Sequence, residues 1–483
     1  MNRLEARMNF LAGINVALFA FVIAIPTMVQ ADAGEGREIY QKHCAECHGA
    51  ELQGGLGSSF LDHVWNYGEG PRTIWMTVKY GIPNLEMPAW KDVLSDGEIK
   101  SVVGFIVAQD KNSALVPPPM PEQVKTEIYG LALEVLDDSL DEPWSIAFIN
   151  KTQALVTDKT GKLYQMLNGK IQKDFIRGLP QDITNINQAG LLDVVLDPDY
   201  ADNGWIYLSY SQELAKAKDE KRARAMTRII RGRIKDGNWI DQQILFEAPE
   251  EFYSTTRHHF GSRIVFDEQG YLYFSVGDRG AKEQAQDMSR PNGKIHRIHK
   301  DGSIPKDNPF LNQRGAIPSI FSFGHRNPQG LATHPVTKEV WSTEHGPMGG
   351  DELNHIRSAK NFGWPEITYG INYDGNIISA FTEKDGMEQP VHHWTPSIAV
   401  CDINFYAGDL FSGWKNNLLV TSLKYRDLRR LVIEGDKVVH EEVLLRGIGR
   451  MRSVTVGPDG AIYVLVNEPS LILRLTPIVD NKD

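Results

Sequence analysis

Only three cysteines occur in 483 residues, and two of them, Cys44 and Cys47, lie three positions apart. Cys401 is distant from both, so an exported chain of this composition has no intramolecular disulfide to rely on. A large core must supply its stability instead. Positive charge is also scarce: 51 Lys and Arg stand against 62 Asp and Glu, a net charge of −11. That balance implies no basic face for nucleic acid. A single long run lacks charge, Phe10 to Val29, preceded by Arg3 and Arg7 and ending in Pro26 and the small-residue sites Val29-Gln30-Ala31 and Ala31-Asp32-Ala33. This pattern is an export signal over residues 1–31, and the run is also long enough to serve as an uncleaved anchor. Membrane contact follows only in the second case. Either way the remainder faces the oxidising side, with the periplasm as the expected address.

Within that scarcity Cys44-Ala45-Glu46-Cys47-His48 stands out as C-x-x-C-H, an attachment site for a c-type haem. Two thiols on one turn can be alkylated by the two vinyl groups of one haem, and the next imidazole then falls beneath the iron. A zinc site would need a second ligand pair at similar spacing, and Cys401 cannot provide it. The sixth ligand is expected from Met87 in Met87-Pro88-Ala89-Trp90, since a thioether from a Pro-stiffened loop raises the haem potential. Met76 lies in an apolar helical stretch and reads as core filler. Gly34 to Tyr40 leads into Cys44 as a short helix, and Asp96 to Gln109 carries apolar residues at helical spacing. Residues 34–110 resemble a class I type cytochrome c domain. The segment 111–128, with Pro117-Pro118-Pro119-Met120-Pro121, is expected to be a stiff linker.

Helical period nearly disappears after about residue 129, replaced by short strands between Gly, Asp, Asn and Pro turns. Six turn-then-strand phrases recur: Gly161-Lys162-Leu163-Tyr164, Gly204-Trp205-Ile206-Tyr207, Gly270-Tyr271-Leu272-Tyr273, Glu339-Val340-Trp341, Asn417-Leu418-Leu419-Val420 and Gly460-Ala461-Ile462-Tyr463. Their separations, 43 to 78 residues, are too irregular for a WD40 array and suit blades with insertions. The expected fold is mainly β, a six-bladed β-propeller over 129–477 preceded by a small all-α cytochrome c domain.

Loops from several blades meet over a propeller's channel, so its binding residues should be scattered in sequence. Polar clusters occur in that manner at Asn187 to Leu192, Arg257 to Arg263, Gly277 to Gly280, Gly324 to Gly330, Thr343 to Pro347, Ser422 to Lys424 and Arg450 to Arg452. His258-His259-Phe260-Gly261-Ser262-Arg263, Gly324-His325-Arg326-Asn327-Pro328-Gln329-Gly330, the stretch Glu344 to Asn354 and Asn361-Phe362-Gly363-Trp364-Pro365 together resemble the soluble PQQ-dependent glucose/sorbosone dehydrogenases. The likeness extends over residues 129–477 and is strongest to the aldose sugar dehydrogenase branch.

That resemblance implies oxidation of an aldose at C1, with pyrroloquinoline quinone (PQQ) as hydride acceptor. By similarity His259 is the base, a role suited to imidazole, and Asp278 orients it. Arg326 would lie against the C5 oxygen of the quinone, where negative charge develops. Lys424, Arg450 and Arg452 would meet the three PQQ carboxylates, Asn327 would add a hydrogen bond, and Gln188 would line the site. Calcium would be held by the main-chain carbonyls of Gly346 and Pro347, oxygen ligands that suit a hard cation. His258 is expected on the opposite face of a strand from His259. His345 stands where glucose-oxidising members carry an amide, and Trp394 to Cys401 aligns with a substrate-side loop. Cys401 reads as a small buried residue. The fused haem would be the first electron acceptor, and a periplasmic cytochrome or oxidase the next. A PQQ-dependent oxidation of a sorbosone-like aldehyde or alcohol, or a non-catalytic glycan- or protein-binding propeller, are the alternatives.

Overall fold

The computed structural model describes residues 32–65, 70–82, 87–114, 120–216, 222–373 and 375–478. The expected signal, 1–31, and residues 115–119 of the expected linker lie outside the described residues.

Ser95 and Glu98 set the start of the longest N-terminal helix. Ser95 Oγ accepts the Glu98 N–H at 3.3 Å, and the Glu98 carboxylate accepts the Ser95 N–H at 2.8 Å. Such a reciprocal cap satisfies two N–H groups that the helix start would leave without intrahelical partners. The N-terminal unit comprises α1 (Asp32–His43), α2 (Ala45–His48), α3 (Pro71–Tyr80) and α4 (Asp96–Asn112). α4 runs three residues past the expected end. It buries Ile99, Val102, Val103, Phe105 and Ile106 in one core with Ile39 and Tyr40 of α1. α1 crosses α4 so closely that a Cβ on Gly36 would stand 2.3 Å from the Ser101 carbonyl oxygen. Glycine is required at that crossing.

β1 (Gln123–Lys125) and β2 (Gly130–Asp137) come next in the chain, yet they belong to the last blade. Blade one is β3 (Pro143–Phe148), β4 (Gln153–Asp158), β5 (Lys162–Leu167) and β6 (Lys170–Phe175). Blade two is β7 (Leu191–Leu196), β8 (Ile206–Glu213), β9 (Ala225–Lys235) and β10 (Asn238–Phe246). Blade three is β11 (Ile264–Phe266), β12 (Leu272–Val276), β13 (Lys294–Ile298) and β14 (Ile320–Phe323). Blade four is β15 (Pro328–Thr333), β16 (Val340–Glu344), β17 (Asp351–His355) and β18 (His392–Trp394). Blade five is β19 (Val400–Phe405), β20 (Leu418–Ser422), β21 (Asp427–Glu434) and β22 (Lys437–Arg446). Blade six is β23 (Arg450–Val456), β24 (Ile462–Asn467) and β25 (Leu471–Pro477), completed by β2 and β1.

The fold is thus the six-bladed propeller expected, with one turn phrase per blade. Five phrases open the second strand of their blade, whereas Gly161 opens the third strand of blade one. β1 falls inside the expected linker 111–128 and pairs with β2, Val124 opposite Leu131. In blade one burial falls away towards the outer strand: β4 is buried from Ala154 to Asp158, while β6 exposes Lys170, Lys173 and Asp174. Charge on the outermost strand protects its open edge from pairing with another sheet.

The six innermost strands pack side by side in a closed ring, and one arginine ties them. Arg263, immediately before β11, pairs through Nη1 with Asp193 Oδ1 and through Nε with Asp402 Oδ1, each at 3.2 Å. Its Nε also donates to the Gln329 carbonyl, and its guanidinium lies 4.1 Å from the Trp144 ring centroid. Ser145 Oγ donates to Asp193 and Ser453 Oγ to Asp402, both at 2.6 Å. Blades one to six each supply a group to this buried network.

Candidate active site and haem cavity

In an antiparallel blade the chain arrives at the first strand and leaves the second at the same end. Gln188 precedes β7, His259 precedes β11, Asp278 follows β12, Arg326 and Asn327 precede β15, Gly346 and Pro347 follow β16, Lys424 follows β20, and Arg450 and Arg452 open β23. All expected propeller site residues therefore share one face of the ring, above the Arg263 network.

His259 has a φ of +57°, a left-handed conformation that a non-glycine residue keeps only when its surroundings hold it. Its N–H donates to Gln188 Oε1 at 2.8 Å. The guanidinium of Arg279 caps the carbonyls of Thr256 and His258 and lies 3.5 Å from the Phe260 ring. On the other side a Cβ at Gly277 would come within 2.4 Å of the His259 carbonyl oxygen. Residues 256–263 form a loop, not a strand. His258 consequently does not point away from His259 as alternation would require; the two rings meet edge to face at 4.6 Å.

The His259 Nδ1 stands 2.7 Å from Asp278 Oδ1, which also accepts the Gly280 N–H at 2.7 Å, and Asp278 Oδ2 accepts Trp364 Nε1–H at 2.9 Å. A carboxylate only accepts, so the imidazole proton sits on Nδ1 and the Nε2 lone pair is left for a substrate proton. Burial, then the Arg326 charge, lower His259 to about 4 despite Asp278. It is neutral, as a base must be, at ordinary pH. Burial acts to raise Asp278, and the hydrogen bond from His259, the Arg326 charge and the Gly280 N–H outweigh it, holding the carboxyl below its usual value.

Arg326 is held by its main chain, whose N–H donates to Glu344 Oε2 at 2.6 Å. Its Nη1 donates to the carbonyls of His345 at 3.0 Å and Gly346 at 2.8 Å. The Gly346 N–H is fixed by Asp351 Oδ1 at 2.9 Å, and the Gly346 carbonyl retains a second lone pair for a cation. Asn327 Oδ1 accepts from Gly261 N–H and Gln329 Nε2–H, both at 3.2 Å.

Around them the cations are short of anions. Among the described residues Lys424 and Arg452 have no carboxylate in salt-bridge reach, and Arg452 contacts only Asn467 Oδ1 and Cys401 Sγ. Arg450 has Glu468 alone, at 3.9 Å. Burial lowers Lys424 to about 8, and burial followed by the Arg452 charge lowers Arg450. His345 Nε2 is buried without a hydrogen-bond partner. A polyanion with ring heteroatoms, as PQQ is, fits this donor-rich, anion-poor face. Cys401 is fully buried and its Sγ–H donates to the Arg452 carbonyl at 3.1 Å. Sequence reasoning assigned no role to Arg279 or Trp364, although both lie inside quoted motifs.

In the N-terminal unit Cys44, Cys47, His48 and Met87 line one cavity of about 550 Å³, with Phe60, Trp65, Ile74 and Ile106 among its walls. His48 Nδ1 lies 2.9 Å from the Ser58 carbonyl, which fixes the proton there and leaves Nε2 for iron. The ring stacks on Phe60 at 4.4 Å. Met76 does not line this cavity. The residues fit a haem.

Residues 140–474 match the glucose/sorbosone dehydrogenase family, and residues 31–106 match the cytochrome c oxidase, cbb3-type, subunit III family. The aldose sugar dehydrogenase YliI of Escherichia coli strain K12 is 40% identical over 352 residues, covering 71% of this chain and 92% of that protein. Quinoprotein glucose dehydrogenase B of Acinetobacter calcoaceticus is 25% identical over 72% of this chain and 88% of its own length. The crystal structure of the soluble aldose sugar dehydrogenase from Escherichia coli in its apo form superposes with a TM-score of 0.67 at 38% identity, covering 72% of this chain and all of that one.

Proposed function

The chain belongs to the glucose/sorbosone dehydrogenase family of oxidoreductases and carries a cbb3-type cytochrome c domain ahead of its propeller, and from that premise we propose that it is a periplasmic quinohaemoprotein oxidising an aldose at C1. The observation that carries this reading is the neutral, Asp278-oriented His259 on the same face of the ring as Lys424 and Arg452, which have no carboxylate in salt-bridge reach among the described residues, and Arg450, whose one carboxylate stands 3.9 Å away.

PQQ, when bound, supplies an electrophilic carbonyl able to take up a hydride. Lys424, Arg450 and Arg452 would hold its carboxylates, and Asn327 would add a hydrogen bond. Calcium would be held at the carbonyls of Gly346 and Pro347. His259 Nε2 takes the C1 hydroxyl proton, and Asp278 stabilises the resulting imidazolium without accepting that proton. Arg326 offers positive charge where negative charge develops, in a site where preorganised donors are worth most. Gln188 keeps the His259 loop in place. A haem on Cys44 and Cys47, ligated by His48 and Met87, supplies a one-electron acceptor in the same chain, from which a periplasmic cytochrome or oxidase would be reduced.

The test reconstitutes the purified haem protein with PQQ and calcium, adds a panel of aldoses and follows the reduced haem band. Sugar-dependent reduction that requires PQQ is expected, and His259→Ala should slow it roughly 10²- to 10⁴-fold. Reduction by aldehydes or alcohols but not aldoses would move the substrate class. Failure to bind PQQ would make the propeller a binding module.

A further inference from the structure

Trp364 belongs to the segment Asn361 to Pro365, between β17 and β18, and comes from a different blade than His259 and Asp278. Its indole Nε1–H donates to Asp278 Oδ2 at 2.9 Å, and this oxygen is the one that His259 does not use. The same ring lies 5.4 Å from the Arg326 guanidinium carbon, within cation–π range. The tryptophan is itself held. Its N–H donates to the Gly324 carbonyl at 2.9 Å, its carbonyl accepts Gln286 Nε2–H at 2.8 Å, and the indole is almost fully buried. Gln286 is in turn fixed by a reciprocal pair of amide bonds with Asn361, at 3.0 and 2.8 Å.

A carboxylate bonded through one oxygen can still rotate about its Cβ–Cγ bond, which would swing the His259 acceptor out of line. Gly280 N–H holds the same oxygen as His259 and does little against that rotation. A donor on the second oxygen fixes the plane. We propose that Trp364 is a positioning residue for the reaction, locking the Asp278 carboxylate so that His259 keeps its Nδ1 proton and its Nε2 lone pair, while its ring face supports Arg326. This rests on the reading of His259 and Asp278 as base and orienter.

The test compares W364F, D278N and the double variant in the full haem protein reconstituted with PQQ and calcium. W364F keeps a ring face for Arg326 and removes the donor. It should lower kcat roughly tenfold, the factor that about 1.4 kcal/mol corresponds to, with KM and PQQ affinity nearly unchanged. In the D278N background W364F should change kcat less than about twofold, as expected for two residues acting through one bond. In the PQQ-free chain, the downfield His259 Nδ1 proton should shift upfield in W364F and vanish in D278N. Should W364F fail to fold, Gln286→Ala withdraws a support of the indole and should give a smaller loss of the same kind, again silent in D278N. Unchanged kcat in W364F, losses that multiply with D278N, or PQQ affinity falling as far as kcat would each overturn the positioning role. A D278N protein with full kcat would instead sink the His259–Asp278 reading itself.

Discussion

Arg263 and the trio Lys424, Arg450 and Arg452 occupy neighbouring levels of one ring, yet they are treated in opposite ways. Arg263 has two carboxylates at 3.2 Å and a tryptophan face. Among the described residues only Arg450 of the trio has a carboxylate in reach, at 3.9 Å, and burial drives Lys424 down to about 8. A cation whose partners come from the fold is structural, because its charge is spent before any ligand arrives. A cation left partly buried and poorly paired weakens the fold and is retained for what it can bind. Charge alone does not distinguish a site; unsatisfied charge does.

The comparison is broken most forcefully from its structural side. Arg263→Met leaves Asp193 and Asp402 buried without their cation, and denaturant unfolding should show a loss of about 3–5 kcal/mol, with unaltered PQQ affinity in the folded fraction. Lys424→Met should do the reverse. Thermal stability is kept or raised, while loss of a charge-assisted bond of about 1.5–3 kcal/mol weakens PQQ binding roughly ten- to a hundredfold by titration. Equal destabilisation by both variants would erase the distinction.

A smaller and sharper test uses pH. In the PQQ-free chain Lys424 loses its proton near pH 8, whereas an anionic ligand favours the protonated form. Above that pH binding must take up a proton, so apparent PQQ affinity should fall towards tenfold per pH unit. Below it the affinity should be flat in this respect. The dependence should vanish in Lys424→Met, and its survival there would reassign it to another group.

The blades were legible because a turn followed by an apolar strand is a local signal, and such a phrase falls once in each. Gly161 shows its limit: in blade one the phrase belongs to the third strand, since spacing alone does not count strands. The candidate site was readable as motifs, whose propeller site residues fall at the same end of the blades. The Arg263 network was not, because Asp193 and Asp402 sit in separate strands far along the chain and only ring closure brings them together. The orientation of His258 was misread for a related reason: alternation holds in strands, and the positive φ of His259 marks a loop. Trp364 carried a motif but no role, since a donor to Asp278 from another blade leaves no trace in spacing.

Ring closure also sets an order of events. β25, the last of the described strands, finds its partner in β2, with Leu131 opposite Pro477, whereas the four described N-terminal helices lie between residues 32 and 112. Local contacts form early and distant ones late, so the haem cavity can assemble while the ring is still an open arc. Because β1 and β2 are the first strands after the haem domain among the described residues, the pair that latches the ring also tethers that domain to it. A chain truncated before β25 would keep its haem and lose its latch.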